Sequence, residues 1–381
     1  MSRARVLLVG AFGQGNPGDE SLCAAFVHAL GDHELLVASA DPDETAGRHG
    51  VATIAATALP VARALSAVDA VVVAGGTIFK RLHRSSGRRP TALLRNTAAL
   101  MLAARTRGRP VALVGVGAGD LHGPAAARLS AWITRHADLL ILRDEESAAV
   151  LTDAGVPSPF WIGADPVWAL ADGVATFGRS PAAPAPADRS VVAVALSHLA
   201  GDAAFERNLA AGLDGLGGDW LIRLQPWQTG AGSDADLRLA RRLADRIPGA
   251  VIDDPPHDVG NAAAHLSDQS VDVVLGLRFH ALVAAGLSNR RFVAVAHEPK
   301  LAGVARRLDQ LSVPPHASGE VYTAAVTGAL RRPPPTAAAV RGEAAAAATA
   351  FDLLRLLLAD GELAEPATLS ALPLSAGARS W

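Results

Sequence analysis

Twice along this chain, short runs of β-branched and aliphatic residues alternate with alanine- and leucine-rich segments, and a stretch that can continue neither pattern separates the two series. Such alternation marks parallel sheets covered by helices, an α/β architecture rather than a helical bundle or a β-sandwich. The first series predicts strands near 5–9, 35–38, 70–74, 110–114, 139–142 and 160–162. In the separator, residues 179–189, the prolines at 181, 184 and 186 interrupt both helix and ladder. The second series predicts strands near 191–196, 220–224, 250–253, 271–276 and 291–296. The expected organisation is an N-terminal domain over 1–178, a linker over 179–189, a C-terminal domain of similar build over 190–330, and a helix and tail over 331–381. In paired domains of this kind the active site is expected in the cleft between them, at the carboxyl ends of the strands.

With 381 residues, half of them hydrophobic and 19% charged, the chain has enough apolar surface for two cores and is not globally disordered. No uncharged stretch reaches the roughly 20 residues that span a bilayer. The first apolar run passes into a glycine loop and then into Asp19 and Glu20, so it reads as a strand rather than a secretory signal, and the expected location is cytoplasmic. A lone cysteine, Cys23, allows no internal disulfide. No Cys cluster, HExxH or two-histidine–carboxylate run is present, so neither a metal nor another cofactor is expected. Thirty-five basic residues against 37 acidic ones give a net charge of −2, which favours neither nucleic acid nor an anionic membrane as partner. Any anionic ligand must be held by local groups, and a homo-oligomer is compatible with this composition.

The clearest local motif is Gly13-Gln14-Gly15-Asn16-Pro17-Gly18-Asp19-Glu20, between the first strand and the first helix. It contains the GxGxxG of dinucleotide-binding turns, with Asp41 near the place of a ribose-binding acid. Against that reading, Asp19 and Glu20 fall in the first helical turn, where they would repel a pyrophosphate. A plain capped turn is the bland alternative. Two more strands end in glycine, at Gly75-Gly76-Thr77 and at Gly115-Val116-Gly117-Ala118-Gly119. Three such loops at one sheet edge would form a shared floor where backbone amides reach a ligand.

Charged residues also gather at strand ends. Arg143 opens Arg143-Asp144-Glu145-Glu146-Ser147, where a planar guanidinium could grip a carboxylate or phosphate or simply precede a helix cap. Ala164-Asp165-Pro166 reads as a turn device. Leu277-Arg278-Phe279-His280-Ala281 brings an arginine and a histidine together where a strand meets a helix, and His297-Glu298-Pro299-Lys300 brings an ammonium to the next strand end.

As an ordered series, residues 13–20, the Gly75-Gly76 loop, 114–117, 143–147, 164–166, 278–281 and 298–300 resemble the polysaccharide pyruvyltransferases. That resemblance implies two Rossmann-like domains facing a central cleft, the glycosyltransferase-B type, with the acceptor on the N-terminal side and the donor on the C-terminal side. The implied activity is transfer of the pyruvyl group of phosphoenolpyruvate onto two hydroxyls of a sugar or glycan, forming a ketal, without metal, in polysaccharide biosynthesis for the cell envelope. By similarity His280 is the general acid, Arg278, Lys300 and Arg143 hold the donor, and Gly13, Gly15, Asn16, Gly18, Asp19, Glu20, Gly75, Gly76 and Gly117 form the substrate loops. The chain departs from the family where Thr77 replaces a third glycine, where Leu196-Ser197-His198 replaces a Ser-x-Arg, and where His297-Glu298-Pro299-Lys300 replaces an aromatic-Asp-Pro-Lys. The alternatives are a nucleotide-sugar-dependent glycosyltransferase on the same plan, a dinucleotide-dependent oxidoreductase, and a catalytically silent, glycan-binding paralogue.

Overall fold

A computed structural model gives the fold and describes residues 3–82, 87–156, 159–171, 189–198, 202–228, 234–268, 270–360 and 375–376. The chain divides into two compact units. The first takes the described residues of Met1–Gln14, Leu22–Ala169 and Glu343–Trp381, and the second those of Gly15–Ser21 and Leu170–Gly342. Of the proline-rich separator, all but Arg189 lies outside the described residues.

The first unit holds one sheet built on β1 (Arg5–Val9), β2 (Glu34–Ser39), β3 (Ala52–Ala55), β4 (Ala70–Ala74), β5 (Thr77–Phe79), β6 (Val111–Ala118), β7 (Leu139–Leu142) and β8 (Trp161–Ile162). Its order is β3-β2-β1-β4-β6-β7-β8, with β5 beside the end of β6 and a short strand, Ser375–Ala376, antiparallel to β8. The other pairings are parallel. Helices cover both faces of such a sheet, so its central strands carry unbroken apolar runs. All of β4 is buried, and Val71, Val73, Leu113, Leu140 and Met101 pack in one core.

The second unit repeats the plan with β9 (Ser190–Leu196), β10 (Trp220–Pro226), β11 (Val251–Ile252), β12 (Val273–Gly276), β13 (Arg291–Val295) and β14 (Leu311–Val313), all parallel, in the order β11-β10-β9-β12-β13-β14. Its core joins Val192, Val194 and Leu275 to Phe205, Leu239 and Tyr322 from the covering helices. Numbered within the second unit, the strand order 3-2-1-4-5-6 is that of a Rossmann domain, and the first unit follows it with β5 set aside and one parallel strand more. In both units the order reverses beside the first strand, between β1 and β4 and between β9 and β12. The carboxyl ends of those pairs are where α/β sheets place ligands.

Each strand expected from the sequence is present, with ends shifted by a few residues. The largest shift concerns Gly115 and Gly117, expected in a loop after a strand at 110–114; both lie inside β6. Gly115 has φ +66°, and the register against β7 slips between Val114 and Val116, so the glycine makes a bulge that lengthens the strand. Strands β3, β5 and β14 escaped the pattern because they are short and only partly buried, without the unbroken apolar run of the central strands. The alanine-rich helix is found at Ala337–Asp360. It joins the first unit from Glu343 onward, with Phe351 edge-on to Phe26 at 5.0 Å and Arg355 donating to the carbonyl of Ala29 at 2.8 Å.

Candidate active site

In the second unit, three strand ends converge on one carboxylate. The adjacent strands β10, β9 and β12 lead into Gln228, His198 and Arg278, and all three hydrogen-bond to Asp236, in the first turn of the helix Ala235–Ala244. Asp236 accepts from the backbone N–H groups of His198 at 2.8 Å and Gln228 at 3.0 Å. Side chains add the His198 Nδ1–H at 2.6 Å and the Arg278 Nη2–H at 2.6 Å. Burial opposes the charge on Asp236, but the His198 hydrogen bond and the Arg278 charge outweigh it and hold the carboxyl at about 2, so Asp236 is an anion at neutral pH.

Arg278 is thereby fixed at the switch point. Its Nε donates to the Leu196 carbonyl at 3.2 Å and its Nη2 also approaches Gln228 Oε1 at 3.5 Å. Among the described residues Nη1 meets no hydrogen-bond acceptor, and the side chain keeps 15% of its exposure. His297 reinforces the same segment by donating Nε2–H to the Leu277 carbonyl at 2.9 Å. Burial lowers its pKa, against the pull of the Leu277 carbonyl, so the ring acts as a neutral donor. Lys300, at the start of the helix Pro299–Arg307, forms an ion pair with Glu298.

His280 stands in the first turn of the helix Phe279–Leu287, two residues beyond Arg278, edge-on to Phe279 with ring centroids 5.2 Å apart. Its imidazole lies against Gly18, where any Cβ would overlap the ring, 2.6 Å from Cγ. This explains why the turn Gly15–Ser21 belongs to the second unit. Asn16 caps that turn by accepting from Gly18 N–H at 3.0 Å, and Ser21 accepts from the N–H of Val259 at 2.7 Å, at the start of the helix Val259–Asp268. The N–H that a pyrophosphate would need is engaged by Asn16, and Asp41 accepts from Glu44 N–H at 3.1 Å as a helix cap, so neither supports a dinucleotide.

In the first unit the sequence motifs converge on Arg143, which is 3% exposed. Its Nη2 donates to Thr77 Oγ1 at 2.9 Å, its Nε to Asp144 at 3.3 Å, and its Nη1 lies 3.6 Å from Asp165. A Cβ on Gly117 would come within 2.6 Å of Nη2, so glycine there lets β6 lie against the guanidinium. Asp144 also caps the helix Glu145–Asp153 through Ser147 N–H at 2.7 Å. Three motifs expected to contact a ligand, and a fourth read as a turn device, therefore share one buried ion cluster. Gly13 sits over Ser39 and Gly75 over Leu22, whereas a Cβ on Gly76, which has φ +75°, would have nothing within 4 Å.

The sequence pattern singles out Arg278 and His280 as a pair but passes over Asp236, which binds the arginine. The only sequence signal of Asp236 is an acid in the first turn of a helix, shared with many solvent-facing residues. Among the described residues no group of three or more His, Cys, Asp or Glu could hold a metal ion, and no helix is long and apolar enough to cross a membrane.

The sequence pattern of the polysaccharide pyruvyl transferases matches residues 16–299, three quarters of the chain. The chain belongs to the polysaccharide pyruvyl transferase family. This pyruvyl transferase family member shares its fold with nucleotide-sugar enzymes. HepE of Anabaena in complex with UDP-glucose is 16% identical, with a TM-score of 0.58 over 97% of this chain and 100% of that one. UDP-GlcNAc 2-epimerase of Neisseria meningitidis bound to UDP-GlcNAc is 11% identical, with a TM-score of 0.63 over 92% and 99%. MnaA of S. aureus with UDP is 12% identical, with a TM-score of 0.59 over 93% and 96%. These likenesses establish the glycosyltransferase-B type of fold. No curated protein matches the chain in sequence.

Proposed function

We propose that this transferase moves the pyruvyl group of phosphoenolpyruvate onto two hydroxyls of a sugar, releasing phosphate and closing a cyclic ketal. The observation that carries the reading is the placement of His280 two residues beyond Arg278, itself held by a buried carboxylate at the switch point of the second unit. Protonated His280 donates to the methylene carbon of the donor. The carbon bearing the phosphate oxygen gains positive character, and the first sugar hydroxyl adds there and loses its proton. Departure of phosphate then regenerates an oxygen-stabilised cation, which the second hydroxyl traps with loss of another proton. A positioned acid contributes typically ~10²–10⁴-fold to such a step.

Arg278 and Lys300 are the donor's cations in this proposal, Arg278 through Nη1 and Lys300 with Glu298 beside it. Arg143 is given a positioning role, because Thr77, Asp144 and Asp165 surround its guanidinium. The turn Gly15–Ser21, which abuts His280, is where the reacting groups would meet the glycine motif. Acceptors with two suitably spaced hydroxyls include a polysaccharide, a lipid-linked intermediate or a small glycoside. Because phosphoenolpyruvate is a cytoplasmic metabolite, the proposal puts the reaction in the cytoplasm, in the synthesis of envelope polysaccharide.

The test is calorimetric titration with phosphoenolpyruvate, UDP-glucose and NAD, followed by phosphate release over a panel of glycan acceptors. Saturable phosphoenolpyruvate binding that weakens in Lys300→Ala is expected, together with loss of turnover and retained donor binding in His280→Ala. Binding of UDP-glucose in place of phosphoenolpyruvate, or full turnover by His280→Ala, overturns the proposal.

A further inference from the structure

The net charge of −2 conceals a strong segregation of charge along the chain. Between Glu44 and Asp138 there are thirteen Lys and Arg residues and only two acids, Asp69 and Asp120. Three helices in this stretch, Ala58–Ala64, Ala92–Arg105 and Pro124–His136, contain no Asp or Glu at all. Their inner sides supply Ala64, Leu94, Met101 and Ile133 to one core with Val71, Val73 and Leu113. Strand residues two apart point to the same side, so the three helices cover one face of the first unit's sheet.

The outer sides of these helices carry Arg63, Arg95, Arg128 and Arg135, all exposed. They also carry Leu59, 60% exposed, and Leu102, 56% exposed, the two most exposed large hydrophobic side chains among the described residues. Leu59 stands one turn from Arg63 and Leu102 two turns from Arg95, so each leucine shares a helix face with an arginine. Neither leucine belongs to the core. The acids of the stretch lie off the helices: Asp69 accepts from Arg5 N–H at 2.8 Å, and Asp120, after β6, accepts from His122 N–H at 3.0 Å. The basic surface is bounded by the helix Glu145–Asp153, where Glu145, Glu146 and Asp153 restore negative charge.

We propose that this face docks on an anionic lipid bilayer, with Leu59 and Leu102 entering the boundary between headgroups and acyl chains while Arg63, Arg95, Arg128 and Arg135 meet lipid phosphates. A bilayer surface offers both components at once, negative headgroups and an apolar layer beneath them. A nucleic acid offers the charge without the apolar layer, and would leave both leucines in water. The inference goes beyond the proposed reaction and does not rest on it: the docking residues belong to the first unit, and Arg278, His280 and Lys300 to the second.

The test is sedimentation of the full chain with vesicles of phosphatidylcholine alone and of phosphatidylcholine mixed equally with phosphatidylglycerol. Binding to the mixed vesicles only, weakened by salt, is expected. An arginine near an anionic surface contributes about fivefold to partition, so Arg95→Gln combined with Arg128→Gln should weaken binding about 25-fold. Leu59→Ser combined with Leu102→Ser keeps every charge and should weaken it on the order of tenfold. All four positions are exposed, so both pairs should keep the wild-type melting temperature. Arg207→Gln combined with Arg241→Gln makes the same charge change at exposed positions of the second unit and should bind like the wild type. No binding to the mixed vesicles, or equal weakening in that control, overturns the inference. Unchanged binding by the leucine pair also overturns it, and competition by duplex DNA would then assign the face to a nucleic acid. Phosphoenolpyruvate binding by the arginine and leucine pairs should match the wild type whichever way the vesicles decide, which keeps this inference separate from the proposed function.

Discussion

Both units hold an arginine against a buried carboxylate at the carboxyl end of a strand, and the two clusters differ in what they leave over. Around Arg143 there is one cation and two buried carboxylates, Asp144 and Asp165, with Thr77 on the remaining edge. Around Asp236 the stoichiometry is inverted: one buried carboxylate serves Arg278 and His198, each partly exposed. The first arrangement closes on itself and holds the β6 bulge, β5 and the Asp144 cap together. The second uses its carboxylate as an anchor for two partly exposed side chains. The two clusters, alike in residue types, thus differ in which charge is in excess and in which side chains stay partly exposed.

The strongest way to break the comparison is Arg143→Met. Two buried carboxylates would lose their cation, and a loss of about 3–5 kcal/mol in urea unfolding is expected; a loss under about 1 kcal/mol would show the cluster to be wetter than its 3% exposure implies. Next is Gly117→Ala, whose methyl would press on a guanidinium held on three sides. Destabilisation near the upper end of the overpacking range, about 3 kcal/mol, is expected, and the double variant Gly117→Ala with Arg143→Met should lose much less than the sum.

Asp236→Asn sharpens the other half. The folded-state pKa of Asp236, about 2, lies below that of a free carboxyl, so its charge stabilises the fold above roughly pH 4 and that contribution is lost as pH falls towards 2. Urea unfolding should find the wild type about 2 kcal/mol more stable than Asp236→Asn at neutral pH from this source, with roughly half of the difference gone by pH 3. An unchanged difference would mean that the carboxylate is not coupled to the fold as its hydrogen bonds indicate. A smaller stability effect, about 1–2 kcal/mol, is expected for Gly18→Ala, a buried position where the methyl would overlap the His280 ring and force it to shift. Turnover in that variant should fall well beyond what the stability change accounts for, and normal turnover would separate the Gly18 turn from His280.

Much of the architecture was legible because parallel strands covered on both faces must be continuously apolar, as β4, β6, β9 and β12 are. The elements that escaped were short edge strands, where a few half-exposed residues carry no such constraint. For the site, Arg278 and His280 were legible because they adjoin one another at the end of a strong strand. Asp236 was not, because its partners lie 8 to 42 positions away along the chain and meet only through the pairing of β10, β9 and β12. Arg143 was visible as a cation at a strand end, but the sequence could not say whether its guanidinium met solvent or Asp165, which follows one strand later.

By itself the sequence determined the two α/β series, the strand ends at which charge and glycine accumulate, and the family to which their order belongs, because hydrophobic period and local turn chemistry are properties of neighbours along the chain. Only the tertiary structure decided which carboxylate each arginine receives, why Gly18 and Gly117 lack side chains, and which of two similar ion clusters keeps partly exposed side chains. Those outcomes depend on desolvation and on distances of about 3 Å between groups far apart in sequence, and both come into being only when the sheets assemble.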